Sequence, residues 1–413
     1  MTGPSLGGET PPSLAVHRVL VAATCVFFLA APFSGSAGAR ATVLIVAALA
    51  LGAAALRGGL RDAAPFPRAV LLAFAAWAAL ATASTAWSVD RAQTLGELRG
   101  EVVYGALALF SFYFAATDLA RLRAWVACIA AGCVLVMLAQ GVQSAWPYWP
   151  NRVDGGGGSW STHLALVSPL LLALAWPRPW GFELRAVPLA IAFVAMLIAG
   201  WVGDNRMLWV AFAVQLAALA VLSRHMPPME AGRLRAIRRF MVLMAIVLAI
   251  AAAAMVVERN EKAFAQAPAM THLERDLRPA IWRTAIATIR EAPVWGHGFG
   301  REIRAEAFRP LGPGGDYHPE IHHAHNVFLD VALQLGLVGL AVFVSLLAAL
   351  ALSYARLLAS PRAAPLGLMG LLVLAGFVAK NIPDDFFHRH NAQVFWALNG
   401  LLLGLGRRLA ASR

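Results

Sequence analysis

Apolar residues run along this chain in long, nearly unbroken stretches, unlike the alternation of a half-buried strand or the narrow stripe of a surface helix. A helix needs about 20 mostly apolar residues to cross the hydrocarbon of a bilayer. Segments of that kind centre on residues 14–34, 41–56, 69–86, 101–117, 124–144, 162–177, 186–203, 206–222, 240–257, 326–355, 364–379 and 392–406. The pattern predicts an all-α polytopic membrane protein of about twelve transmembrane helices, since helices satisfy their own backbone groups in lipid. Residues 1–257 would hold the first nine, 258–324 one large polar loop, and 325–413 the last three. The first segment lacks a clear small-residue cleavage site and reads as a retained span.

Composition agrees. The 413 residues are 60% hydrophobic and 14% charged, against about 25% charged in soluble domains. The net charge of +12 comes from 34 Lys+Arg against 22 Asp+Glu. In a membrane protein that excess points to topology signals and anionic membrane lipid, and not to nucleic acid. Cys25, Cys128 and Cys133 all lie inside apolar runs, which argues against a disulfide framework or a zinc ribbon.

The arginines fix an expected orientation. They gather in alternate turns: Arg57, Arg61 and Arg68; Arg121 and Arg123; Arg178 and Arg185; Arg224 to Arg239; Arg356 and Arg362; Arg407, Arg408 and Arg413. By the positive-inside rule these face the cytoplasm with both termini, and the long loop faces the periplasm of a bacterial inner membrane. Of the 11 histidines, only His17 and His225 then fall on the cytoplasmic side. Polar groups in membrane proteins mark the functional face, so the chemistry is expected outside.

The loop carries most of it. Arg278 precedes Pro279, and Ile281, Trp282, Ala285, Ile286 and Ile289 follow at helical spacing. This predicts a short amphipathic helix over 279–291, with Pro at its first position. The turn VWGHGFG, residues 294–300, suits tight backbone geometry; no strand precedes it, so it is no dinucleotide fingerprint. A Gly/Pro segment leads to His322, His323, His325 and Asn326 at the mouth of the next span. The cluster from His318 to His325 lacks the usual spacing of a tetrahedral zinc site.

The string Arg278, Trp282, Pro293, Gly296, Gly298, His325-Asn326 and GLVG from Gly336 resembles the O-antigen ligase and polymerase family of bacterial inner-membrane glycosyltransferases. The turn WVGDNRMLW with Arg206, the loop AWSVDRAQTL near Trp87 and the run GGGGSWSTHLA resemble other parts of it. With one large loop and a short tail, the chain is most similar to the ligase branch. The resemblance implies a GT-C-like fold and transfer of a finished glycan from undecaprenyl diphosphate to a sugar hydroxyl of lipid A-core, without a cofactor.

The residues suit that reaction. A diphosphate leaving group needs its growing charge neutralised by metal or by arginine, whose fork bonds phosphate oxygens bidentately. No DxD motif occurs among the ten aspartates, so Arg206 and Arg278 are the expected clamp. Arg278 also sits at a helix N-terminus, which favours an anion. A neutral His325 is the expected general base. Asn326, His323, Trp282 and Arg283, with Asp384, Asp385 and Arg389 between the last two spans, are candidates to contact substrate. Duller readings stand beside each. His325-Asn326 also suits a helix cap, Arg206 suits pairing with Asp204 or snorkelling, Arg278 suits pairing with Glu274, and Arg283 suits a solvated helix face. Gly155 to Gly158 reads as a flexible loop, and the Asp384 to His390 segment as a wet turn. A polymerase of the same family and a transporter or flippase of lipid-linked sugars are the competing functions. The transporter would need charges near the midplane and internal repeats, which the spans do not offer.

Overall fold

The structure is a computed structural model, and it describes residues 11–58, 64–145, 153, 156–171, 196, 198, 200, 205–225, 242, 246, 249–250, 253–254, 277–311 and 322–412. Among these it is helical, without strands. The principal helices are α1 (Pro11–Ala30), α2 (Ala37–Leu56), α3 (Arg68–Ala83), α4 (Arg91–Glu97), α5 (Tyr104–Ala115), α6 (Leu119–Ala145), α7 (Gly157–Val167), α8 (Arg206–Leu222), α9 (Arg278–Glu291), α10 (Val327–Leu358), α11 (Ala364–Asn381) and α12 (Arg389–Ala411).

Six helical stretches among the described residues are long and apolar enough to cross a membrane: Ser34–Leu56, Arg68–Ala86, Leu119–Gln143, Met207–His225, Val327–Leu358 and Ala364–Asn381. Helices also fall on the segments expected from 14, 101, 162 and 392 onward. Two of these, α5 and α7, are too short to span alone. α5 continues α4 through a π-helical turn, Leu98–Val103, and α7 runs into a 3₁₀ turn, Ser168–Leu171. The expected spans 186–203 and 240–257 lie almost wholly outside the described residues, as does most of the loop before α9.

The glycine run before α7 departs from the flexible-loop reading. Gly157 and Gly158 form the first turn of α7, and a Cβ on Gly158 would meet the Phe386 ring at 2.1 Å. The smallest residue is there because a ring lies against it.

α12 packs most extensively on α5. Cβ atoms on Gly400 and Gly404 would meet the carbonyl oxygens of Leu109 and Tyr113 at 2.2 and 2.3 Å, the close backbone approach that small residues allow between membrane helices. Above that crossing Phe343, Phe377, Phe387, Phe395 and Trp396 pack ring on ring. They make an apolar floor under the polar end of the bundle.

α10 is broken one-third of the way along. Gly336 has φ 66°, ψ −170°, a conformation open to glycine and to few other residues. The 294–300 turn fills the break. His297 N and Gly298 N donate to the Leu333 and Gln334 carbonyls at 3.1 and 2.9 Å, and Leu337 N and Val338 N donate to the Pro293 and Val294 carbonyls at 2.8 and 3.3 Å. A break in an apolar helix is tolerated where other protein takes up the freed backbone groups. The glycines of the turn and of GLVG are thus two halves of one joint, and it holds the turn against the first part of α10.

Candidate functional site

The joint delivers Arg301. Gly300 N donates to Gln334 Oε1 at 3.0 Å; Gln334 Nε2 donates to Asp330 Oδ2 at 3.0 Å; Asp330 Oδ1 accepts from Ala324 N at 3.2 Å. The next residue along, Arg301, is 9% exposed. Its Nη1 donates to His388 Nδ1, and its Nη2 donates to the Asp385 carbonyl and to His323 Nε2 at 2.5 Å. Nε lies 4.0 Å from Asp385 Oδ2, and the guanidinium stands 5.7 Å from the Phe386 ring centroid. One side chain therefore ties the turn after α9, the segment before α10 and the segment before α12.

His323 is buried, and its ring lies 4.0 Å, centroid to centroid, from that of His325 at 34°. Burial first, and then the Arg301 charge, hold the His323 and His388 imidazoles well below the usual histidine range. His325 has φ 47°, a left-handed conformation uncommon outside glycine and asparagine. Asn326 caps α10: its Oδ1 accepts from Phe328 N at 2.9 Å and Leu329 N at 3.2 Å. The cap and the sharp turn before it set the direction in which His325 leaves the helix mouth.

On the far side, Lys380 at the end of α11 is fully buried and donates to Asp384 Oδ2 at 2.6 Å. Asn205 Nδ2 donates to the same oxygen at 2.9 Å, while Asn205 Oδ1 caps α8 by accepting from Met207 N at 3.0 Å. Burial pushes the Asp384 carboxyl up, but Lys380, Asn205 and the Arg278 charge outweigh it and hold the group below the usual range. Arg278, at the start of α9, is thus within electrostatic reach of Asp384, the residue to which Asn205 ties the start of α8. Arg389, at φ 50°, is exposed and donates its backbone N–H to Glu101 Oε1 in the π-helical turn.

The structure therefore brings His323, His325 and Asp385 together around Arg301, and gathers Asp384, the start of α8 and Arg278 into a second group. Arg206 is the first residue of α8; its side chain lies outside the described residues. Arg283 is exposed and donates to the Pro279 carbonyl at 3.1 Å. Trp282 packs on a satellite core of Ile281, Ala285, Ile303, Phe308, Ala324 and Leu333, and its Nε1 is buried without a partner. Sequence reasoning passed over Arg301, Asn205, Lys380 and Glu101. Lys380 had a signal, since it is one of only two lysines and stands at the end of an apolar run. Among the described residues no three His, Cys, Asp or Glu side chains are placed to hold a metal ion. A cleft beside Arg301 is lined by Glu97, Glu101, Asp330, Gln334, Asp385 and His388, over Trp77, Phe299, Phe387 and Trp396. Carboxyls and one arginine on an apolar floor, next to two imidazoles, can hydrogen-bond hydroxyl groups and accept a proton.

No curated protein matches the chain. Residues 191–344, which take in α8, α9, the glycine turn and the broken part of α10, match the family model described as O-antigen ligase.

Proposed function

We propose that the protein moves a finished glycan from undecaprenyl diphosphate to a sugar hydroxyl of lipid A-core at the periplasmic face of the inner membrane. The observation that carries this reading is that the start of α8, where Arg206 stands, is tied through Asn205 to Asp384, on which the charge of Arg278 at the start of α9 also acts, in a segment matched by the family model. Two helix N-termini and two arginines suit a diphosphate. His325, at the mouth of α10, takes the proton of the acceptor hydroxyl. The oxygen forms its bond to the anomeric carbon as the bond to the phosphate oxygen breaks, so undecaprenyl diphosphate leaves with the electron pair and the centre inverts. The reaction is metal-independent, with arginine meeting the charge that a divalent ion meets in other transferases. Asp385 and His323 bear on the acceptor side through Arg301.

The test is transfer by purified protein given lipid-linked glycan and lipid A-core in EDTA. Ligated product is expected, and His325→Ala should reduce the rate by about a hundred- to ten-thousand-fold. Lengthening of the lipid-linked glycan without acceptor would replace ligation by polymerisation; full activity of His325→Ala would remove the assigned base.

A further inference from the structure

Arg301 accounts for more of the site's geometry than the transfer reaction asks of it. A guanidinium has donors only and stays charged at any working pH. His323 Nε2 and His388 Nδ1 must therefore each offer it a bare lone pair. That fixes both tautomers, with the His323 proton on Nδ1 and the His388 proton on Nε2. Among the described residues His323 Nδ1 is buried and meets no partner, so no other contact among them selects this tautomer.

We propose that Arg301 is the positioning residue of the transfer site: by donating to both His323 and His388 it holds them as neutral imidazoles of fixed tautomer beside His325. This rests on the reading of His325 as the base. The consequence is electrostatic. A protonated His323, with its ring 4.0 Å from that of His325, would oppose any proton arriving there, because like charges disfavour one another's charged form. Arg301 is itself a cation, but Asp385 pairs with it at 4.0 Å, while burial pushes the Glu97 and Glu101 carboxyls around the same cleft toward their neutral forms. Around His323, after burial, the cationic influence dominates, since Arg301, His325, His322 and His388 all disfavour its charged form. The groups facing it are His322 and His325 on its own loop, Arg301 from the glycine turn, Asp330 from α10, and Asp385 and His388 from the segment before α12. His322 is engaged separately, 3.3 Å from Glu302.

The test compares pH–rate profiles of transfer for the full-length protein, Arg301→Gln and Arg301→Lys, and reads the His323 ring nitrogens by ¹⁵N NMR, assigned by loss of the signal in His323→Gln. In the unaltered protein His323 should keep a protonated Nδ1 and bare Nε2 down to about pH 5, below the ordinary histidine midpoint. In Arg301→Gln it should titrate. The acid limb of the rate profile should then steepen and move to higher pH, with kcat at mildly acid pH falling by about tenfold or more and donor KM little changed. Arg301→Lys, which keeps a cationic donor, should restore part of kcat. A profile for Arg301→Gln that superimposes on the unaltered one after scaling, or an Nε2-protonated His323 in the unaltered protein, overturns the proposal. Should the unaltered protein transfer no glycan, the functional reading fails by itself, and the nitrogen shifts still decide the tautomer.

Discussion

Asn205 and Asp384, 179 positions apart in the chain, are joined by a 2.9 Å hydrogen bond that makes one asparagine both the cap of α8 and a clamp on the turn before α12. Because Arg206 follows Asn205 directly, the backbone of the arginine turn is fixed to the same oxygen that takes Lys380 at 2.6 Å. The start of α8 and the end of α11 cannot move apart without breaking a buried ion pair's third partner.

The Lys380–Asp384 pair should therefore behave as a buried salt bridge does. Removing one member leaves a charge without its counterion and costs about 3–5 kcal/mol, whereas replacing both with apolar residues of similar size costs far less. Lys380→Met and Asp384→Leu should each lower the unfolding temperature sharply in detergent, and the double variant should recover most of it. A double variant as unstable as the singles would mean that the pair is not the unit.

Acid should find the same group. The Asp384 carboxyl in the folded protein lies below its usual value, so its stabilising contribution is fully present above the unfolded value of about 4. It is lost as pH falls through the lower folded value. Thermal stability should decline below about pH 4 with a component that Asp384→Asn lacks. A decline of the same size in both proteins would assign acid lability to other carboxyls.

Gly336 and Gly52 make a matched pair. A Cβ on Gly336 would meet the Val294 carbonyl oxygen at 2.1 Å in a left-handed backbone, while one on Gly52 meets nothing within 4 Å. Gly336→Ala should destabilise by more than the roughly 1 kcal/mol by which Gly52→Ala can help a helix. It should also cut transfer, because the joint it opens carries Arg301. Equal stabilities for the two variants would separate the glycine turn from the helix break.

Much of this was legible in the sequence, and the limits have a physical pattern. Hydrophobic periodicity located the helices because lipid leaves the backbone no other choice, and Pro279 with its apolar spacing predicted α9 almost to the residue. His323, His325 and the Asp384–Asp385 pair stood out as polar residues at the ends of apolar runs. Arg301 did not, because it follows the glycine turn as one more loop arginine, and only the joint between that turn and Gly336 turns it inward. The same joint shows why three glycines recur over forty residues: Gly296 and Gly298 lie close against the backbone or side chain of Gln334 and Ser88, and Gly336 against Val294. Asn205 was hidden by its neighbour, since the eye goes to Arg206. Pairing between positions so far apart is a property of the folded bundle and leaves no mark on local composition.

Arg278 and Arg283 lie on one short helix, and their surroundings differ. Arg278 begins α9 and its charge reaches Asp384, whereas Arg283 is exposed and turned back on the Pro279 carbonyl. If Arg278 meets the diphosphate, Arg278→Ala should lower kcat/KM for the lipid-linked donor by about a hundred- to a thousand-fold, the usual cost of one preorganised charge donor. Arg278→Lys keeps the charge but loses the planar fork, so it should recover only part of that loss while leaving the acid stability of Asp384 intact. Arg283→Ala should change kcat/KM by less than about twofold, as surface charges do. Kinetics with purified donor and acceptor decide it: an Arg283→Ala defect equal to that of Arg278→Ala would show that the helix face, and not its N-terminus, meets the diphosphate.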